Sequence, residues 1–359
     1  MKKLLLTTAI ASSALFAGNA IAQTTVSGDL IITGKAISSE KTNDGVSSMR
    51  GMGKEWQINV QNKGKLNNGM DYAAGFSLEH DGAQTGSNGL DENIYINLIS
   101  GNTTLHIGQD HIQNSDRTLA TFVGLIAEDL TNSTGGSLAN DVFRSDVGAD
   151  TASAYGIGII QTIPGIATIS ALYSPNSENI PAGGATSYVG NDDQAFDSAN
   201  ESSYEIGITG GFGVKGLNAH AFMNKRDKSD SAVATDRDVK GYNYGLSYNF
   251  GQVTAGYNYK KHQNQTAAGA NPATNAGDIK QNEFGLAYAV SPTLTLGANY
   301  TKAEVTSTGA KADAKSKSIA VGYNLGAVAL TAQAAKLDNY TGVSGVDADV
   351  LFLRAATKF

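Results

Sequence analysis

Tyr242-Asn243-Tyr244-Gly245-Leu246-Ser247-Tyr248-Asn249-Phe250 alternates without a break. Every even position is aromatic or Leu, and every odd position is Asn, Gly or Ser. A helix would bring like residues together three or four apart; a period of two means an extended strand with one apolar and one wet face. The same pattern returns in Val253-Thr254-Ala255-Gly256-Tyr257-Asn258-Tyr259, in Leu294 to Tyr300 and in Ile319 to Leu325. These segments predict an all-β chain.

Working outward, the strands are separated by two kinds of connection. Seven are short and rich in turn residues: Asn67-Asn68-Gly69, Ser100-Gly101-Asn102, Pro164-Gly165, Gly210-Gly211, Phe250-Gly251, Ser291-Pro292 and Leu325-Gly326. Eight are long and polar, at about 37–52, 81–91, 110–150, 175–202, 225–240, 261–279, 302–315 and 337–347. Long and short alternate along the whole chain. Fifteen connections imply sixteen strands, an even number that puts both chain ends beside the short turns. This is the layout of a transmembrane antiparallel up-and-down β-barrel, with short periplasmic turns and long external loops.

The N-terminus supplies the compartment. Met1-Lys2-Lys3 is followed by an uncharged, mostly apolar or small run to Gly18, and Ala20-Ile21-Ala22 provides small-x-small cleavage chemistry. Residues 1–22 are predicted to be a signal peptide and residues 23–359 one barrel domain, with no linker between parts. Removing Lys2 and Lys3 moves the formal charge from −7 to −9, which disfavours nucleic acid as a partner. There is no cysteine among 359 residues, so a closed hydrogen-bonded ring has to supply what disulfides give other exported chains. No uncharged apolar run of helical membrane length follows the leader. Mean hydropathy is −0.20, which a barrel tolerates because only alternate residues meet lipid.

The last strand reads Leu351-Phe352-Leu353-Arg354-Ala355-Ala356-Thr357-Lys358-Phe359, with Leu351, Leu353, Ala355, Thr357 and Phe359 on one face and Arg354 and Lys358 on the other. A secreted β-sandwich or solenoid would alternate too, but it has no physical reason to stop a strand on an aromatic. The third long connection is the longest. From 110 to 143 it holds Asp110, Asp116, Glu128, Asp129 and Asp141 against Arg117 alone, and Leu119, Val123, Ile126 and Leu130 recur there at near-helical spacing.

With its leader, its opening strand Val26-Ser27-Gly28-Asp29-Leu30, its strand rhythm and its close at Phe359, the chain resembles the Gram-negative general porins, sixteen-stranded trimeric diffusion channels. The resemblance covers the mature chain. It implies a homotrimer in the outer membrane, contact with lipid, and a terminal strand read by the barrel assembly machinery through Phe359. It also implies a third loop folded into the lumen, so that Asp110, Asp116, Arg117, Glu128, Asp129 and Asp141 form the constriction. In that family basic wall residues face the acidic loop. Here Lys35, Lys54, Arg354 and Lys358 are the candidates, with Arg50 near a strand end, and the first five strands lack an arginine ladder, so a cation preference is expected. The implied function is passive diffusion of ions and small hydrophilic solutes, without cofactor or energy source.

Other chemistry fares worse. His80, His106, His111, His220 and His262 show no zinc-ligand spacing, and no Gly-x-Ser-x-Gly elbow is present. The loop carboxylates are of the type calcium takes, yet no EF-hand-like loop accompanies them. No metal or catalytic group is therefore expected. A solute-specific channel stands as the alternative, followed by a barrel enzyme and an adhesin.

Overall fold

The computed structural model describes residues 23–39, 49–81, 92–109, 155–174, 202–226, 238–266, 276–306, 312–340, 342 and 344–359. The predicted signal peptide, the helical spacing from Leu119 to Leu130 and the expected constriction residues all lie outside the described residues.

Sixteen strands follow in chain order. They are β1 (Gln23–Ser39), β2 (Met49–Lys65), β3 (Asp71–Asp81), β4 (Glu92–Ser100), β5 (Thr103–Gln109), β6 (Tyr155–Ile163), β7 (Ala167–Ser174) and β8 (Ser203–Gly210). Then come β9 (Leu217–Arg226), β10 (Val239–Asn249), β11 (Val253–Thr266), β12 (Ala276–Ala289), β13 (Leu294–Thr306), β14 (Ala314–Asn324), β15 (Val328–Asp338) and β16 (Ala348–Lys358). Each is antiparallel to its sequence neighbours, and β1 pairs with β16, so the sheet is a closed barrel. No helix occurs among the described residues. Closure removes both sheet edges, which is the condition for a β-structure to stand in hydrocarbon.

The short turns show why the sequence reverses where it does. In Asn249-Phe250-Gly251, the Gly251 N–H donates to Asn249 Oδ1 at 2.8 Å, and Gly251 adopts φ 96°. Asn324-Leu325-Gly326 repeats this, with a 2.7 Å bond and φ 90°. The Asn side chain mimics a backbone turn, and glycine takes the left-handed conformation without a Cβ clash.

Alternation sorts the barrel into two faces. On β10, Tyr244 and Leu246 are 48% and 49% exposed and point outward, whereas Asn243, Gly245 and Ser247 are buried on the inside. Outward positions elsewhere read Ile96, Ile107, Ile157, Ile159, Ile206, Phe284 and Leu296, an apolar surface for lipid.

The inner face is not uniformly polar. Near the closure seam Ile37, Leu337, Ala348, Val350 and Phe352 form a buried apolar cluster with Ile279 and Ala303. Tyr340 and Val346, from the β15–β16 connection, join it. That connection is tied by the Tyr340 N–H donating to the Val346 carbonyl at 3.0 Å and the Asn339 N–H to Asp347 Oδ1 at 2.8 Å.

Candidate functional site

The chemistry available to a solute is that of the inward side chains, and strand register selects them. On β2 and β3 the directly opposed inward pairs are Gln57 with Glu79 and Asn59 with Ser77. Gln57 Nε2 donates to Glu79 Oε2 at 3.1 Å, and Ser77 Oγ donates to Asn59 Oδ1 at 2.6 Å. Gln61 reaches across to the Tyr95 hydroxyl. Glu55 stands opposite position 81, an aspartate, at the external end of the same face. This wall is a hydrogen-bonded ladder carrying carboxylates. Its lysines, Lys63 and Lys65, sit at the periplasmic end.

Further round the barrel, His106 and Asn97 face one another on β5 and β4, with Nδ1 2.8 Å from the Asn97 Oδ1. Across β9 to β12 lies a larger network. His220 Nε2 is 2.8 Å from Asn243 Oδ1, Asn258 Nδ2 donates to Glu283 Oε2 at 2.8 Å, and Lys260 Nζ lies 3.2 Å from Glu283 Oε1. Gln281 donates to the same carboxylate. Lys260 is 1% exposed, so this ion pair sits at low dielectric and depends on the surrounding amides. Gly245 makes room for it: a Cβ there would lie 2.6 Å from Asn258 Oδ1 and 3.1 Å from His220 Cε1.

The residues expected from sequence divide three ways. Asp110, Asp116, Arg117, Glu128, Asp129 and Asp141 lie outside the described residues. Lys35 and Arg354 are inward, Lys35 opposite the buried Phe352 and Arg354 opposite Thr33. Lys54 is not on the inner wall. It stands opposite Ile32, which is 44% exposed, and its strand neighbour Gly53 is the one that faces inward Thr33. The stretch Arg50-Gly51-Met52-Gly53-Lys54 has no clean alternation, so its phase is set by pairing with β1 rather than by its own composition.

Phe359 closes the ring. Its N–H and carbonyl exchange hydrogen bonds with Gly28, each 2.9 Å. The ring is 70% exposed and passes over Gly28, where a Cβ would come within 2.7 Å of Cζ.

Sequence reasoning missed Glu55, Glu79, Glu205, Lys260 and Glu283. Their signal was present in part. In Tyr257-Asn258-Tyr259-Lys260 the tyrosines take the lipid face, so Lys260 has to point inward. Among the described residues no cluster of three or more potential metal ligands occurs.

The barrel resembles solved outer-membrane proteins. A Rhodopseudomonas blastica porin triple mutant superposes with TM-score 0.59 at 13% identity, covering 94% of this chain and 100% of that one. A loop L8 deletion mutant of OmpT, an outer membrane protein of Vibrio cholerae, superposes with TM-score 0.63 at 15% identity, covering 94% and 99%. No curated protein matches the chain by sequence. The family model described as Gram-negative porin matches residues 7–342. The closed sixteen-stranded barrel, apolar outside and hydrogen-bonded within, agrees with that match, and the chain belongs to the Gram-negative porin family.

Proposed function

We propose that this outer-membrane porin passes ions and small hydrophilic solutes by passive diffusion and prefers cations. The observation that carries the preference is the inner face of β2 and β3, where Glu55 and Glu79 stand on one wall whose only lysines are at its periplasmic end. Carboxylates on a confined, low-dielectric wall raise the local concentration of cations. The acidic balance of residues 110–143 in the third long connection, with Asp110, Asp116, Glu128, Asp129 and Asp141 against Arg117, adds to that potential where the connection narrows the lumen. Lys35 and Arg354 supply the opposing charge from β1 and β16. Membership of the family supports a homotrimer as the functional unit and Phe359 as the residue the assembly machinery reads.

The test is a planar bilayer with the purified chain under a KCl gradient. Stepwise conductance with a reversal potential on the cation side is expected. Glu55→Gln with Glu79→Gln should move that potential toward zero. Silent bilayers from folded protein would overturn the channel, and an unmoved potential would take these two residues out of the selectivity mechanism.

A further inference from the structure

Arg354 is inward, charged and unanswered. Its Nε is buried and makes no hydrogen bond, and no carboxylate lies within ion-pair distance of its guanidinium among the described residues. The residue as a whole is half-buried, which leaves the two Nη amino groups to the lumen. Register places a threonine on either side of it, Thr33 on β1 and Thr331 on β15. Lys35 stands one inward position further toward the external mouth. A guanidinium without an acceptor is costly on a low-dielectric wall, and the acceptor that fits its planar fork is a carboxylate.

Beside these cations the wall is hollow. Lys35 and Thr33 face Gly51 and Gly53 across β1 and β2. A Cβ at Gly51 would meet nothing within 4 Å, and one at Gly53 would lie 2.8 Å from the Thr33 hydroxyl, which leans over that glycine. Two successive inward positions of β2 therefore carry no side chain. The result is a notch floored by backbone and bordered by Thr33, Lys35 and Arg354.

The next inward residue of β2 is Glu55, two positions from Gly53 and about 7 Å along the strand. One step further, Glu79 stands level with Gln57. Positive and then negative charge thus follow one another down a single wall. An extended dipeptide holds its ammonium about 6 Å from its carboxylate, whereas an α-amino acid holds them only about 2.5 Å apart. The spacing on the wall is that of the dipeptide.

We propose that this wall is a subsite for short dipolar solutes, dipeptides above all, with the carboxylate in the notch at Arg354 and the ammonium at Glu55. The inference rests on the channel reading and names a solute class for that channel. A net-neutral solute gains little from an acidic lumen as a whole; it gains where a cation and a carboxylate stand at its own charge spacing.

The experiment uses the full chain folded into liposomes, with entry followed by isosmotic swelling. The solutes are arabinose, diglycine, and N-acetylglycinamide, which is close to diglycine in size and lacks both charges. Arabinose reports the open channel, and its exclusion would overturn the channel reading and the subsite together. Diglycine is expected to enter about 5-fold faster than N-acetylglycinamide, the factor that one exposed charge pair supplies. Arg354→Gln and Glu55→Gln should each bring that ratio toward one, and Arg354→Lys should keep most of it. Glycine, too short to span both charges, should enter at a rate relative to arabinose that Glu55→Gln does not change. A second measurement needs no variant: in a planar bilayer, diglycine should interrupt the potassium current of the parent chain in brief steps that N-acetylglycinamide does not produce. Equal entry of diglycine and N-acetylglycinamide, with arabinose entering freely, would overturn the subsite and leave the channel standing. So would a ratio unmoved by Arg354→Gln combined with Glu55→Gln, or a parent current that diglycine leaves uninterrupted.

Discussion

Gly28 and Phe359 exchange two backbone hydrogen bonds of 2.9 Å, joining the first strand to the last residue of the chain. The contact is tight as well as bonded, since a Cβ on Gly28 would lie 2.4 Å from the Gln57 carbonyl oxygen and 2.7 Å from Phe359 Cζ. Gly28→Val should therefore destabilise the closed barrel by about 1–3 kcal/mol, the range for forcing atoms into a filled site. Urea unfolding in detergent micelles measures it. A midpoint equal to the parent's would mean the seam yields freely there.

The buried Lys260–Glu283 pair makes a sharper demand. Lys260→Met leaves the Glu283 carboxylate among Asn258 and Gln281 without its cation. A loss of about 3–5 kcal/mol is expected, and Lys260→Met combined with Glu283→Gln should recover most of it. The double-mutant cycle in urea decides: simple additivity would mean the two groups are not coupled.

Lys35 and Lys54 separate the two faces of the same wall. Lys35 is inward beside Phe352, and Lys54 is outward beside Ile32. Lys35→Gln should strengthen cation preference in a bilayer reversal-potential measurement, and Lys54→Gln should leave it where it was. A shift from Lys54→Gln would require the β1–β2 register to be wrong.

Leu246 and Gln57 test lipid against lumen. Leu246 is 49% exposed on the outward face, so Leu246→Arg should cost about 2–4 kcal/mol if it sits near the bilayer midplane. Gln57→Arg changes an inward residue that hydrogen-bonds Glu79, and should instead lower cation preference with little loss of folded barrel. Folded yield in lipid vesicles and single-channel selectivity distinguish them.

Much of this barrel was legible in the linear chain. The tyrosine alternation from Tyr242 to Phe250 predicts β10 and its lipid face, and Asn249-Phe250-Gly251 predicts the turn that follows. The seven short turns fall between paired strands, and the count of sixteen matches the closed ring. The reason is physical: a side-chain period of two and left-handed turn glycines are local properties, written in neighbouring residues.

What the chain by itself determined, then, is how many strands there are, where they turn and, for the well-patterned ones, which face is apolar. The tertiary structure alone decided the phase of β2, and with it the outward place of Lys54. It alone brought Lys260 to Glu283 and laid Phe359 over Gly28. Each of these is a relation between strands. Such relations depend on register, and in a barrel register is fixed only when the whole ring of hydrogen bonds closes on itself.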